Sequence, residues 1–407
     1  MSKIIRKYIC LTAVLAMIFS MLRVQAFGAS VGMEDYKKIP SSVLGVACNG
    51  DTTAFPENSI EAIESAIGMG LDGVSVDVRK TKDGRFILVK DESLQRMCGK
   101  DIKVSETKYD DLKALKLKQS NGGPTNELTE YSVASLVRAL EVSHGKVFLI
   151  LDCQPEDLDK IYSTVDTYSS LDNVIIRCKQ MENKDLIDWA KSKGEKIEVM
   201  AYHRSNVIFR LISQFNKAEE AQLGCIQLAT SNEYGVMFNN FFAKRLGEVR
   251  GYFSFSDTEC CGERPDSTEG WENIIDAGYS VLETSNATGL ASYLDTLEQS
   301  RYELLELYAK TEQLDLSGYT QNTADNLSQA LEKADLILNG DRPSSASELS
   351  NAKQNIKIAL KNLEAGSSSS AKGEFKITLP RVLWTLFIIV LFVAAQMYIR
   401  KKTVKEK

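Results

Sequence analysis

The 407-residue sequence predicts an α/β protein. Its main body is expected to be a (β/α)8, TIM-like barrel, followed by a small three-helix bundle and a C-terminal transmembrane helix. Three observations predict this architecture. Between residues 40 and 298 short apolar runs alternate with amphipathic segments. That is the pattern of parallel strands joined by helical crossovers, and roughly 250 residues suit a closed barrel. Residues 301–365 then carry Ala and Leu at helical spacing in three successive stretches, the pattern of a small bundle. Finally, Ile377 to Ile399 is an almost uninterrupted hydrophobic run, long enough to span a bilayer. A doubly wound open sheet is the alternative to the barrel, but no G-x-G-x-x-G follows the first strand.

Composition narrows the function classes. The formal net charge is -6, without an interior basic stripe, which excludes nucleic acid as a partner because phosphate neutralisation needs clustered Lys and Arg. Eight cysteines and two histidines show no zinc-ligand spacing, and seven cysteines beyond Cys10 cannot all pair with one another.

At the N-terminus, Lys3, Arg6 and Lys7 precede an apolar run from Ile9 to Leu22 and small-residue sites ending at Ala26 or Ala29. Residues 1–29 therefore read as a signal peptide. Val43–Ala47 is the first strand, ending in Cys48-Asn49-Gly50. Asn58 or Ser59 caps the helix Ile60–Gly70. Gly73–Val78 and Phe86–Val89 are strands joined by a turn at Asp83-Gly84, a pair that favours tight reversal. Alternation puts Ser75 and Asp77 on one face and Val74, Val76 and Val78 on the other. Lys100 to Glu130 is a polar connection. Helix–strand alternation then runs through strands Lys146–Asp152, Asn173–Cys178, Lys196–Tyr202, Cys225–Ala229, Arg250–Phe255 and Tyr279–Thr284, with helices that include Val207–Asn216 and Phe238–Leu246. Residues 366–376 are a Ser-rich linker, and the tail 400–407 carries Arg400, Lys401, Lys402, Lys405 and Lys407. By the positive-inside rule this tail is cytoplasmic and everything before the span is extracellular.

The segment around Ser75-Val76-Asp77, Thr81-Lys82-Asp83-Gly84 and Lys90-Asp91 resembles the centre of the glycerophosphodiester phosphodiesterase family, which has E-x-D, T-K-D-G and His-Asp there. Ala47-Cys48-Asn49-Gly50 followed by Pro56-Glu57-Asn58-Ser59 matches the family's H-R-G…P-E-N-T, and Asp152-Cys153-Gln154 stands where a strand ends in E-x-K. Residues Tyr319-Thr320-Gln321-Asn322 and the Ala/Leu repeats beyond resemble the FIVAR module of Gram-positive surface proteins. The resemblance implies a phosphoric diester hydrolase of lipid and glycerol-phosphate metabolism. It implies a Ca²⁺ or Mg²⁺ ion on three carboxylates, and two histidines moving protons. At those positions the metal ligands would be Asp77 and Asp152, with Ser75 at the third. Cys48 and Lys90 occupy the catalytic histidine positions, while Asn49, Glu57, Lys90 and Gln154 would contact substrate. Cys48 is a candidate nucleophile only if Lys90 lowers its pKa, and adjacent Asp91 would keep Lys90 charged. These substitutions predict a membrane-anchored extracellular family member that is a pseudoenzyme, binding the divalent cation weakly or not at all. The alternative is a dead barrel used as a surface binding module for glycerol-phosphate polymers or cell-wall glycan. His203 lies at a strand's carboxyl end, where it either faces the barrel mouth or is a rim residue. Tyr252, Phe253 and Phe255 are either core or a stacking surface.

Overall fold

The computed structural model describes residues 42–366, apart from 195–196, most of 205–249 (223–229 are described), 258–260, 262–263 and 341. The predicted signal peptide, the helices Val207–Asn216 and Phe238–Leu246, most of the linker, the span 377–399 and the basic tail lie outside, or mostly outside, these residues. Among the described residues no helix is long and apolar enough to cross a membrane.

Eight parallel strands form the barrel: β1 (Leu44–Cys48), β2 (Gly73–Lys80), β6 (Phe148–Asp152), β7 (Val174–Arg177), β8 (Glu198–Arg204), β9 (Cys225–Ala229), β10 (Arg250–Ser254) and β11 (Val281–Thr284). It closes because β1 pairs in parallel with both β11 and β2. Val74, Val76, Leu149, Leu151 and Ile176 face outward into the layer shared with the helices. Val46, Ile150, Ile175, Met200 and Tyr252 fill the interior. That is the period-2 alternation of strands buried on both faces.

The Asp83-Gly84 turn exists, with Gly84 at φ +80°, but the strand after it is not a barrel strand. β3 (Phe86–Leu88) runs antiparallel to the end of β2, pairing Val78 with Leu88 and Lys80 with Phe86. β2 thus overshoots the barrel rim and reverses. The chain returns to the level of Asp77, whose carbonyl accepts from the Val89 N–H at 3.0 Å. The polar connection that follows has more structure than its composition suggests. It holds a hairpin of β4 (Lys116–Lys118) and β5 (Leu128–Ser132) over its own small core of Leu94, Met97, Val104, Leu112 and Leu117.

The bundle is present and shares a helix with the barrel. Helix α1 (Ala287–Thr311) follows β11 and runs without a break into the bundle with α2 (Gln321–Asn339) and α3 (Ala346–Lys361). The expected division between residues 298 and 301 falls inside α1. The bundle is seated on the barrel helix α4 (Thr268–Asp276), whose Glu272 and Asp276 accept from the Ser347 and Ser345 amides at 3.1 and 3.3 Å.

Candidate active site

The carboxyl ends of the strands bring the predicted residues to one mouth. Register places Cys48 beside Ser75, Asp77 beside Asp152, and Asp152 beside Arg177. The two carboxylates are neighbours with different surroundings.

Asp77 is held by neutral donors. Its Oδ2 accepts from Asn49 Nδ2 at 2.8 Å and Asn58 Nδ2 at 3.0 Å, and its own N–H donates to Asn58 Oδ1 at 2.9 Å. Asn58 takes φ +59°, a left-handed conformation that Asn tolerates, and so turns into the mouth. Helix capping is left to Ser59, which accepts from the Ala62 N–H at 3.1 Å. Burial and the charge of Asp152 push the Asp77 carboxyl up to about 6, against the opposing effects of Asn58 and Lys90.

Asp152 is held by a cation. Arg177 donates through Nε to Oδ1 at 2.7 Å and through Nη2 to Oδ2 at 2.5 Å. The same guanidinium reaches Glu283 at 3.0 and 3.1 Å and Gln227 Oε1 at 3.2 Å, and it lies over the Tyr252 ring at 5.6 Å. Arg177 and Glu283 are 2% and 1% exposed, so this is a buried charge network. Burial opposes the charge on Glu283, but Arg177 outweighs it and holds the carboxyl down at about 2. Neither Arg177 nor Glu283 was singled out in the sequence. The available signal was one charged residue inside each of two otherwise apolar strands.

A divalent metal does not fit this arrangement. Hard cations want six or more oxygen ligands. Here both Asp152 oxygens accept from Arg177, one Asp77 oxygen accepts from two amides, and Ser75 offers a hydroxyl where a carboxylate was implied. The guanidinium already supplies positive charge between Asp152 and Glu283. Among the described residues no group of three His, Cys, Asp or Glu side chains is arranged to hold an ion. Asp77 and Asp152, the expected metal ligands, are engaged here by two amides and by Arg177.

Other assignments shift as well. Glu57 is buried and accepts from Arg96 Nη2 at 2.6 Å, while Arg96 Nε donates to Asp91 at 2.5 Å. Glu57 thus ties the loop after β1 to the connection beyond β3. Asp91 is engaged by Arg96 instead of guarding Lys90. Lys90 is exposed and close enough to influence Asp77, and among the described residues no carboxylate forms an ion pair with it. Asn49 faces Asp77, and Gln154 is half-buried at the start of the segment after β6. Burial and the nearby Glu283 push the Cys48 thiol well above its ordinary value, so it stays protonated and is a poor nucleophile. Tyr252 and Phe253 are fully buried core, which removes them as a stacking surface. His203 pairs in register with Leu228 on β9, but its side chain lies outside the described set. His144 ends a helix before β6, at the opposite end of the barrel.

Comparison with known proteins agrees with this architecture. Residues 49–218 match the Glycerophosphoryl diester phosphodiesterase family. A Bacillus subtilis protein described as uncharacterized protein YqiK is 35% identical over 104 residues, covering 26% of this chain and 42% of its own. A glycerophosphodiester phosphodiesterase of Caldanaerobacter subterraneus is 26% identical over 140 residues, 33% of this chain and 56% of its own. The chain therefore spans about half the length of these curated relatives. A crystal structure of a glycerophosphoryl diester phosphodiesterase from Parabacteroides distasonis superposes with a TM-score of 0.53 at 17% identity, over 65% of this chain and 92% of that one. At that identity the likeness is one of fold.

Proposed function

We propose that residues 49–218, which match the Glycerophosphoryl diester phosphodiesterase family, form a domain of that family whose mouth binds a glycerol-phosphate-type anion and hydrolyses glycerophosphodiesters no faster than background. The observation that carries this reading is the Arg177 guanidinium on both oxygens of Asp152. Cleaving a phosphodiester requires charge stabilisation at the equatorial oxygens and a proton for the leaving alkoxide. The first is missing because the carboxylates are committed to Arg177 and to amides. The second is weakened because a protonated thiol and an ammonium stand at the two proton-transfer positions. Asp77, at about 6, can exchange a proton near neutrality, but one such group without a metal or a second acid does not complete the reaction. Lys90 remains as a point charge suited to phosphate.

Around this domain we read the chain as a surface protein, exported, anchored by residues 377–399 and carrying a FIVAR-like bundle. An amide-lined groove between α2 and α3, with Asn326, Gln329 and Asn355 on its walls, favours glycan contact as a second role for the bundle. Protease added to wall-stripped cells should remove the barrel and spare the tail.

The purified chain is to be assayed on glycerophosphodiesters with Ca²⁺ or Mg²⁺, beside a calorimetric titration with a glycerophosphodiester. The expected result is binding without turnover. Metal-dependent turnover at rates typical of enzymes, abolished by Asp77→Ala, would overturn the reading.

A further inference from the structure

Just outside the mouth two thiols meet. Asp152 ends β6, Arg177 ends β7, and the two are register partners. Their successors, Cys153 and Cys178, therefore leave the sheet side by side. Because Asp152 and Arg177 point into the barrel, the next residues point the other way, into the layer under the helices. Both cysteines are reduced and each is 3% exposed. The Cys153 N–H donates to the Arg177 carbonyl at 3.1 Å, and its Sγ lies 3.8 Å from the same oxygen.

We propose that Cys153 and Cys178 are a reversible dithiol–disulfide site that clamps the ends of β6 and β7. Adjacent strands lie about 4.8 Å apart, a spacing inside the roughly 4.4–6.8 Å between Cα atoms that a disulfide needs. The two thiols are in contact, and Cys178 also accepts from the Gln180 and Met181 amides. Cys178 lies beside the exposed turn and meets a reagent first, which makes it the attacking sulfur and Cys153 the resolving one. The residues after Cys178, Lys179 and Gln180, are exposed, so a small breathing motion of this turn admits a reagent.

The oxidant is a small-molecule disulfide of the glutathione type. The Cys178 thiolate attacks one of its sulfurs, forming a mixed disulfide and expelling the first thiolate. Cys153 then gives up its proton and attacks the Cys178 sulfur, expelling the second. The protein loses two electrons and two protons in all, and the external disulfide leaves as two thiols. The site stands whether or not the mouth hydrolyses anything. By closing the loop over the helix Leu158–Thr167, the bond restrains the unfolded chain and should raise the melting temperature by about 5 °C.

The test is to incubate the folded full-length chain with glutathione disulfide, block free thiols with N-ethylmaleimide under denaturing conditions, and map the unreduced digest by mass spectrometry. A peptide pair linked through Cys153 and Cys178, reversed by dithiothreitol, is expected. In Cys153→Ser the residue Cys178 should instead retain glutathione as a stable mixed disulfide. Recovery of both cysteines as maleimide adducts, or a link that forms only in urea, would overturn the proposal. The wild-type map decides the matter even if a serine variant fails to fold.

Discussion

Two rings of side chains inside the barrel come from the same strands and differ by one step of the pleat. Below lie Val46, Ile150, Ile175 and Val281, all buried and apolar. Above them, in the same strands, lie Cys48, Asp152, Arg177 and Glu283. The lower ring needs no partners beyond close packing, and its stabilisation scales with the apolar area removed from water. The upper ring pays for desolvation of three charges and recovers it only because Arg177 answers both Asp152 and Glu283. Such a network is weak evidence for stability and stronger evidence that something at the mouth requires it. The contrast recurs within the upper ring, where amides leave Asp77 titrating near neutrality and a guanidinium keeps Glu283 ionised.

The largest effect should come from breaking the upper ring. Arg177→Met removes the guanidinium that bridges Asp152 and Glu283, and removing one partner of a buried pair costs about 3–5 kcal/mol. Urea unfolding at pH 7 measures it. The reference is Ile150→Val in the lower ring, expected to cost about 0.5–1.5 kcal/mol. Equal costs would show that the two rings are energetically alike and that the upper one is not a coupled network.

How much of this was legible in the sequence follows from the range of each interaction. The alternation of strands and helices and the Asp83-Gly84 turn are set by local periodicity and fixed spacing, whereas the meeting of Asp77 with Asp152 was implied only by the family resemblance. The Arg177–Glu283 contact joins residues 106 apart, and no local pattern announces which strands will close the barrel. The antiparallel course of β3 depends on β2 running past the rim, which residue types alone do not show. β4 and β5 were too short for an alternation to register. Composition changes at 298–301, but no glycine or proline interrupts the helix there, and it continues to Thr311.

A smaller effect separates the two carboxylates. The Asp77 carboxyl is raised in the folded chain to about 6, against an ordinary 3.8. Folding therefore favours its protonated form. Its contribution is fully present below pH 4 and is lost as pH rises through 6. At pH 7 the buried charge is a cost on the order of 2–3 kcal/mol. Asp77→Asn, which can still accept from Asn49 and Asn58, should raise stability at pH 7.5, with the gain shrinking as pH falls through 6 toward 4. Thermal melts across that range measure it. A gain independent of pH would mean that Asp77 carries no proton-linked strain and that the difference between the two carboxylates is wrong.

The smallest effect on folding should fall on Lys90, where the predicted effect on binding is clearest. Its side chain is exposed and enters no ion pair among the described residues, so Lys90→Ala should change stability by no more than about 0.5 kcal/mol. A glycerophosphodiester carries one fixed negative charge near neutral pH, so its own titration does not complicate the measurement. Its phosphate faces the ionised Asp77 above pH 6 and a neutral carboxyl below it, so affinity for the wild type should increase as pH falls through 6. Lys90 supplies attraction at every pH in that range, because lysine holds phosphate as a point charge. Lys90→Ala should therefore weaken binding throughout while leaving the pH dependence in place, and Asp77→Asn should flatten the pH dependence while retaining affinity. Calorimetric titrations of the two variants at pH 5 and pH 7.5 distinguish these contributions. If Lys90→Ala binds the diester as well as the wild type does, the anion is not held at this mouth.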